Sequence, residues 1–316
     1  MSIYRETAWK VLEEANRVIL GKEEITKEIM AALLAGGHVL LEDMPGVGKT
    51  TLALAFSKMM GMDWKRVQFT PDVLPSDLTG FSLYRQDVQK FVYQPGAVFC
   101  NLLLADEINR TSPKTQSALL EVMEERQVTV DGVTRQVPSP FFVIATQNPL
   151  GSAGTQMLPP AQMDRFLICM TIGYPDFNSE LAMAKGVAKG GRTDGLRPLL
   201  GMQTLLEMQQ EAQQVYVHDA VYQYIVSLVT ATRNNSYLEA GASPRATIAL
   251  VKMARSAAWL SGNDFVSPAD VAEQFPLVVR HRVLMSVKAK VDGQSVDDVI
   301  RDILTHTRKP ALGRKG

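Results

Sequence analysis

The chain has 316 residues, 46% of them hydrophobic and 21% charged, which at roughly 150 residues per domain predicts about two globular domains with sizeable cores. Lys and Arg number 33 and Asp and Glu number 33, so the formal charge of zero lacks the basic excess of a protein that lives on phosphate backbones, and nucleic acid is not an expected partner. No apolar run reaches the ~18 residues of a bilayer crossing, and the opening MSIYRETAWK lacks the layout of a signal peptide; the expectation is a cytoplasmic protein without a membrane segment. Cys100 and Cys169 stand apart in apolar runs and read as small core residues, and His38, His218, His281 and His306 form no metal spacing.

Between residues 20 and 175, short apolar runs alternate with helical patterns. The runs are His38–Glu42, Arg66–Thr70, Asn101–Ala105, Phe141–Thr146 and Phe166–Ile172. Strands separated by helices need crossovers, so the pattern predicts a five-stranded, mostly parallel α/β sheet covered on both faces. Leu52, Phe56 and Met59 at helical spacing predict a helix over 49–60. Ser112 before Pro113 is a cap followed by proline at the first helical position, opening a helix that carries Leu119, Leu120 and Met123. Two stretches, Gly80–Gln94 and Gln127–Val137, read as hairpins, the second around Asp131-Gly132.

Beyond Tyr174-Pro175 no strand is expected, and residues 180–308 read as successive amphipathic helices after a glycine-rich connection over Gly186–Gly201. Ser243-Pro244 and Ser267-Pro268 repeat the start signal, the second with Asp270 completing a capping box. Leu250, Ala254, Ala257 and Ala258 give the first of these helices a small-residue face. The expected domains are therefore 1–175, an α/β nucleotide-binding domain, and 176–316, an all-helical one.

The most specific pattern is Glu42-Asp43-Met44-Pro45-Gly46-Val47-Gly48-Lys49-Thr50-Thr51, between a strand and a helix. Glycines let backbone N–H groups face phosphate oxygens, a lysine meets the β/γ-phosphates, and a hydroxyl meets Mg²⁺. Pro45, Gly46, Val47, Gly48, Lys49, Thr50 and Thr51 are the expected phosphate-binding set, although Asp43 occupies the position of the first glycine. The run Leu102-Leu103-Leu104-Ala105-Asp106-Glu107 is a buried strand with two acids at its C-terminal end, the edge where open α/β sheets bind ligands. Asp106 suits Mg²⁺, with Thr50, and Glu107 suits a water that attacks the γ-phosphate. Asn148, in Thr146-Gln147-Asn148-Pro149, can touch that water. Arg165, in Asp164-Arg165-Phe166, can meet a phosphate or Asp164. Arg245 sits in the first turn of a helix, where the dipole opposes a cation, so an anionic ligand explains it better than helix stability. These groups together predict nucleoside triphosphate hydrolysis.

In their order and spacing, the phosphate loop, LLLADEINR, TQNP, AQMDRF and GASPRA resemble the MoxR-type AAA+ ATPases, over roughly residues 5–300. The resemblance implies ATP and Mg²⁺ held between an α/β domain and a helical lid, at the interfaces of a homo-oligomeric ring, usually a hexamer. It makes Lys49 and Thr50 Walker A, Asp106 and Glu107 Walker B, and Asn148 sensor 1. It makes Arg245 sensor 2, closing the lid on the γ-phosphate, and Arg165 the finger inserted into the neighbouring subunit, with Arg110 as the alternative. Gly21 falls where the family cradles adenine, and Pro160 departs from the glutamate common before the finger. The two hairpins resemble the clade's helix-2 insert and pre-sensor-1 hairpin, which face the pore or a partner. The implied work is remodelling of a client protein, with a von Willebrand A-domain protein as a separate partner chain. A DNA motor and an ATP-gated scaffold with negligible turnover are the alternatives; an NKxD guanine-reading motif is absent.

Overall fold

The computed structural model describes residues 2–42, 48–148, 157–186, 193 and 195–311. The chain opens with α1 (Ile3–Val18) and α2 (Glu23–Leu34), then runs through β1 (Val39–Glu42), α3 (Lys49–Met59), β2 (Trp64–Gln68) and the short α4 (Pro75–Thr79). The hairpin β3 (Phe81–Arg85) and β4 (Lys90–Gln94) follows, then β5 (Leu102–Asp106) and α5 (Pro113–Glu125). A second hairpin, β6 (Gln127–Val130) and β7 (Val133–Gln136), leads to β8 (Phe142–Gln147), α6 (Pro160–Met163) and β9 (Ile168–Met170). The helical part comprises α7 (Phe177–Gly186), α8 (Met202–Gln213), α9 (Asp219–Arg233), α10 (Pro244–Leu260), α11 (Pro268–Val279), α12 (Val287–Val291) and α13 (Val296–His306), with β10 (Leu238–Ala240) and β11 (Leu284–Met285) between them.

Five strands form one sheet in the order β2-β5-β8-β1-β9, every pair parallel. Successive side chains in a strand point to opposite faces. Leu41, Leu104 and Ile144 therefore enter a core with α1, α2 and the lid helices, while Leu40, Leu103 and Val143 enter a second core with Leu119, Leu120 and Met123 of α5. Both faces being covered, β5 and β8 are buried along their whole length, which is why their sequences are continuous rather than alternating apolar runs.

β2 begins two residues earlier than the apolar run suggests. It is an edge strand, half exposed, and its limits follow pairing with β5, from Trp64 opposite Leu102 to Gln68 opposite Asp106. β9 is likewise shorter than expected, because only Ile168–Met170 pair with β1. The helical part contains strands after all: β10 and β11, of three and two residues, form an antiparallel pair too short to show as a strand pattern in the sequence.

Local chemistry accounts for several helix starts. Ser112, Ser243 and Ser267 cap α5, α10 and α11 with proline following, and Asp270 completes the box at Ser267. Each such cap contributes about 1 kcal/mol. Both hairpins form, and Asp131 and Gly132 take the two positive φ values, 53° and 74°, that a two-residue turn between twisted strands requires. The small face of α10 (Leu250, Ala254, Ala257, Ala258) is buried, with α10 packed against α2, α8, α9 and α11. Among the described residues, no helix is long and apolar enough to cross a membrane.

His38, Cys100 and Cys169 are buried. His38 is pushed down to about 3 by burial and stays neutral; its Nδ1 accepts from the Val143 N–H at 3.0 Å and its Nε2 donates to the Met123 carbonyl at 3.1 Å. Burial pushes the Cys100 thiol up to about 12 and Cys169 well above its ordinary value, so neither is a nucleophile at neutral pH. Glu28 on α2 accepts from Gln274 of α11 at 3.0 Å, but its Oε2 has no partner, and burial raises its pKa from 4.5 to about 7. A carboxyl raised in the folded state stabilises most below its unfolded value, and that contribution is lost as pH climbs from 4.5 towards 7. Glu28→Gln is expected to match the parent near pH 4.5 and to exceed its stability at pH 8 by up to about 3 kcal/mol, measured by denaturant unfolding at both pH values.

Candidate functional site

The parallel sheet delivers three strand ends to one edge. After β1, the chain re-emerges at Gly48, whose φ of +90° suits glycine, and α3 starts at Lys49. The first N–H groups of a helix have no partner within it and favour an anion. Lys49 is buried at this helix start, Thr50 is half-buried and Thr51 exposed. Asp43, Pro45, Gly46 and Val47, also expected on the loop, lie outside the described residues.

Asp106 is the last residue of β5 and only 8% exposed. The Thr146 hydroxyl donates to its Oδ1 at 2.7 Å, and Arg66 of β2 donates to its Oδ2 at 2.7 Å. Glu107 follows with φ +57° and ψ +49°, a left-handed conformation uncommon for a residue with a Cβ. Its N–H donates to Thr146 Oγ1 at 2.8 Å, and its carboxylate accepts from Arg110 at 2.7 Å. One fully buried hydroxyl thus receives a hydrogen bond from the Glu107 backbone while giving one to Asp106. Gly48, Lys49, Thr50, Arg66, Gln68, Asp106 and Glu107 line a cavity of about 340 Å³.

Asn148 lies at the end of β8, beside β5. Its main chain is held on both sides by the buried Asn109, which accepts from the Asn148 N–H at 3.4 Å and donates to its carbonyl at 3.2 Å. Gly21 has φ +66°, and a Cβ there would come within 2.6 Å of both Ser179 Oγ and Asp176 Oδ2 at the start of α7. Neighbouring Lys22 donates to the carbonyls of Ile172 and Tyr174, each at 2.7 Å, so the segment before α2 is tied to the segment before α7.

Arg165 and Arg245 are elsewhere. Both reach Glu124 near the end of α5, Arg165 Nε at 3.3 Å and Arg245 Nη2 at 2.5 Å. They line a second cavity of about 220 Å³ together with Gly37 and His38, which precede β1. The first cavity lies where β5 ends, the second where β1 begins. In a parallel sheet these are opposite edges. The structure therefore divides the predicted residues into two sets, Lys49, Thr50, Asp106 and Glu107 at one edge and Arg165 and Arg245 at the other. Arg110 belongs to the first set, on Glu107. Pro160, where the resemblance leads one to look for glutamate, is the first residue of α6, a position that suits proline.

Thr146, Arg66, Asn109 and Glu124 do not stand out in the sequence. Thr146 precedes the Gln147-Asn148-Pro149 signal, but its role needs β8 beside β5, which only the sheet order supplies. Replacing Thr146 by the near-isosteric valine leaves the Asp106 oxygen and the Glu107 N–H without their shared partner. The expected cost is about 1–3 kcal/mol by denaturant unfolding, against well under 1 kcal/mol for Thr51→Val on the exposed face of α3.

The chain resembles known proteins in both sequence and fold. The AAA model, described as an ATPase family associated with various cellular activities, matches residues 38–168, and the AAA lid domain model matches residues 230–303. YeaC of Bacillus subtilis (strain 168) is 47% identical over 95% of this chain and 94% of its own length. Chaperone MoxR1 of Mycobacterium tuberculosis is 40% identical over 97% and 83%, and protein MoxR of Methylorubrum extorquens is 30% identical over 97% and 96%. A crystal structure from Cytophaga hutchinsonii superposes with a TM-score of 0.90 at 36% identity, covering 98% of this chain and 96% of that one. A full-length MCM homolog from Methanopyrus kandleri shares the fold alone, at TM-score 0.60 and 18% identity over 87% and 59%. With family models matching both the α/β and the helical parts and relatives matched almost end to end, the chain belongs to the MoxR family of AAA ATPases.

Proposed function

We propose that this ATPase works as a ring, probing a neighbour's nucleotide with Arg165 and Arg245 and using the cycle to remodel a client protein. The observation that carries the reading is the separation of the two sets. Lys49, Asp106 and Glu107 sit at the C-terminal edge of the sheet, while Arg165 and Arg245 sit at the N-terminal edge. Within one subunit the two sets line separate cavities at opposite edges, and a second copy would supply the arginines to the phosphate site. Closure by rotation makes this a ring, taken here as a hexamer.

Within one site, Lys49 and the first N–H groups of α3 neutralise the phosphates. Glu107 takes a proton from a water as its oxygen attacks the γ-phosphorus and the bond to the β–γ bridging oxygen breaks, with Asn148 orienting that water. The Thr50 hydroxyl and the Asp106 carboxylate would hold Mg²⁺. They fit it: Mg²⁺ is commonly bound by one or two carboxylates plus substrate phosphates, and Asp106 keeps lone pairs beyond the two hydrogen bonds it accepts. When bound, the metal neutralises charge developing on the β- and γ-oxygens. Gly21 and the neighbouring start of α7, where Tyr174 and Phe177 are 71% and 80% exposed, suit the adenine ring. On this reading residues 1–175 bind nucleotide and 176–316 form the lid.

The client-remodelling role draws on the name of the relative called chaperone MoxR1. A von Willebrand A-domain protein is the proposed partner, as the resemblance of the motifs implies. Turnover per subunit is expected to rise with protein concentration. Arg165→Ala and Glu107→Gln are each expected to lower it by about 10³-fold or more, and mixing the two variants to restore part of it. Turnover independent of concentration and indifferent to Arg165 would sink the shared-site reading.

A further inference from the structure

The segment that carries Arg165 is gripped by the helical lid. Arg282, whose side chain is 3% exposed, donates from Nε to Asp164 Oδ1 at 2.7 Å. Its two terminal nitrogens reach the carbonyls of Asp164 at 3.2 Å, Phe166 at 2.5 Å and Leu167 at 3.0 Å. His281 adds a contact from Nε2 to the Phe166 carbonyl at 3.1 Å. The second Asp164 oxygen accepts from Ser243 Oγ at 2.9 Å, and Ser243 is the cap of α10, two residues before Arg245.

A buried guanidinium is an expensive way to hold a lid down. Apolar side chains of similar volume would serve as well or better, because the cost of removing a charge from water is only offset by fully satisfied partners. What an arginine adds is a planar fork that fixes direction. Here the fork is aimed at the residues on both sides of Arg165. One carboxylate, Asp164, is thereby bonded to the lid at Arg282, to the start of the Arg245 helix at Ser243, and by its own peptide bond to Arg165. Both arginines then converge on Glu124.

We propose that Arg282 is a positioning residue that, through Asp164, locks Arg165 and Arg245 into one preset unit presented to the neighbouring subunit. This rests on the shared-site reading above. It predicts that Arg282 matters to the neighbour's catalysis and not to nucleotide binding in its own chain.

The test is complementation in mixed assemblies. Arg282→Gln alone is expected to lose turnover by at least about 10-fold, as misplacement by about an ångström can, while its affinity for a fluorescent ATP analogue stays within about threefold. Mixed with Glu107→Gln subunits, which keep intact arginines, it is expected to regain turnover; mixed with Arg165→Ala subunits, which lack the same face, it is not. Arg282→Lys, which keeps the charge and loses the fork, is expected to rescue only part of the loss. Full turnover in Arg282→Gln, no recovery with Glu107→Gln, or recovery with Arg165→Ala would each overturn the inference. An Arg165→Ala and Glu107→Gln control that fails to recover would overturn the shared-site reading and this inference with it. Control recovery without Arg282→Gln recovery would overturn this inference alone. Should Arg282→Gln not fold, Ser243→Ala removes one bond to Asp164 and is expected to give a loss of a few-fold with the same complementation pattern.

Discussion

Because β1, β2, β5, β8 and β9 all run one way, their C-terminal ends share one edge of the sheet, and Lys49, Asp106 and Asn148 arrive there from three different strands. The same constraint sends the start of β1 and the approach to β9 to the opposite edge, where Arg165 and Arg245 lie. Parallel strands need crossovers, and here the crossovers supply α3 and α5, the helices that bear Lys49 at the start of one and Glu124 near the end of the other. The division of the chemistry between two edges thus follows from strand direction rather than from any single contact.

At both edges, carboxylates and arginines are matched. Arg66 pairs with Asp106, Arg110 with Glu107, Arg165 and Arg245 with Glu124, and Arg282 with Asp164. Exposure separates their roles. The Arg66, Arg110 and Arg245 side chains are about half exposed, so their pairings are weak and exchangeable for a stronger anion. The Arg282 side chain is almost wholly enclosed, and there the geometry is held by carbonyls as well as by Asp164.

The packing is uneven in a way that fits this arrangement. One hydrophobic core runs from a face of the sheet through α1 and α2 into α8, α9, α10 and α11, so the helical part shares its interior with the α/β part. The other core lies beneath α5 and ends near Met163 and Phe166. Arg282, His281 and Ser243 join the lid to the segment between the two cores with directional bonds, where an apolar contact would leave the approach to Arg165 free to turn.

Local sequence determined what depends on neighbours along the chain. Gly48 and Lys49 at the start of α3, the caps at Ser112, Ser243 and Ser267, the Asp131-Gly132 turn and the buried strand ending in Asp106-Glu107 are each encoded within a few residues, since backbone conformation and capping are short-range. The parallel sheet was legible too, because strands separated by helices leave few other ways to pair. Strand limits at the edges were not, since the ends of β2 and β9 follow their partners' registers rather than hydrophobicity. Nor did the sequence mark Thr146 as the bond between the two acids, Glu124 as the meeting point of two arginines, or Arg282 as the grip on Asp164. Those pairings join residues 40, 41, 121 and 118 positions apart. Only the tertiary fold decided them, because a hydrogen bond needs its partners within about 3 Å and sequence spacing carries no such distance once the chain has crossed from one strand or domain to another.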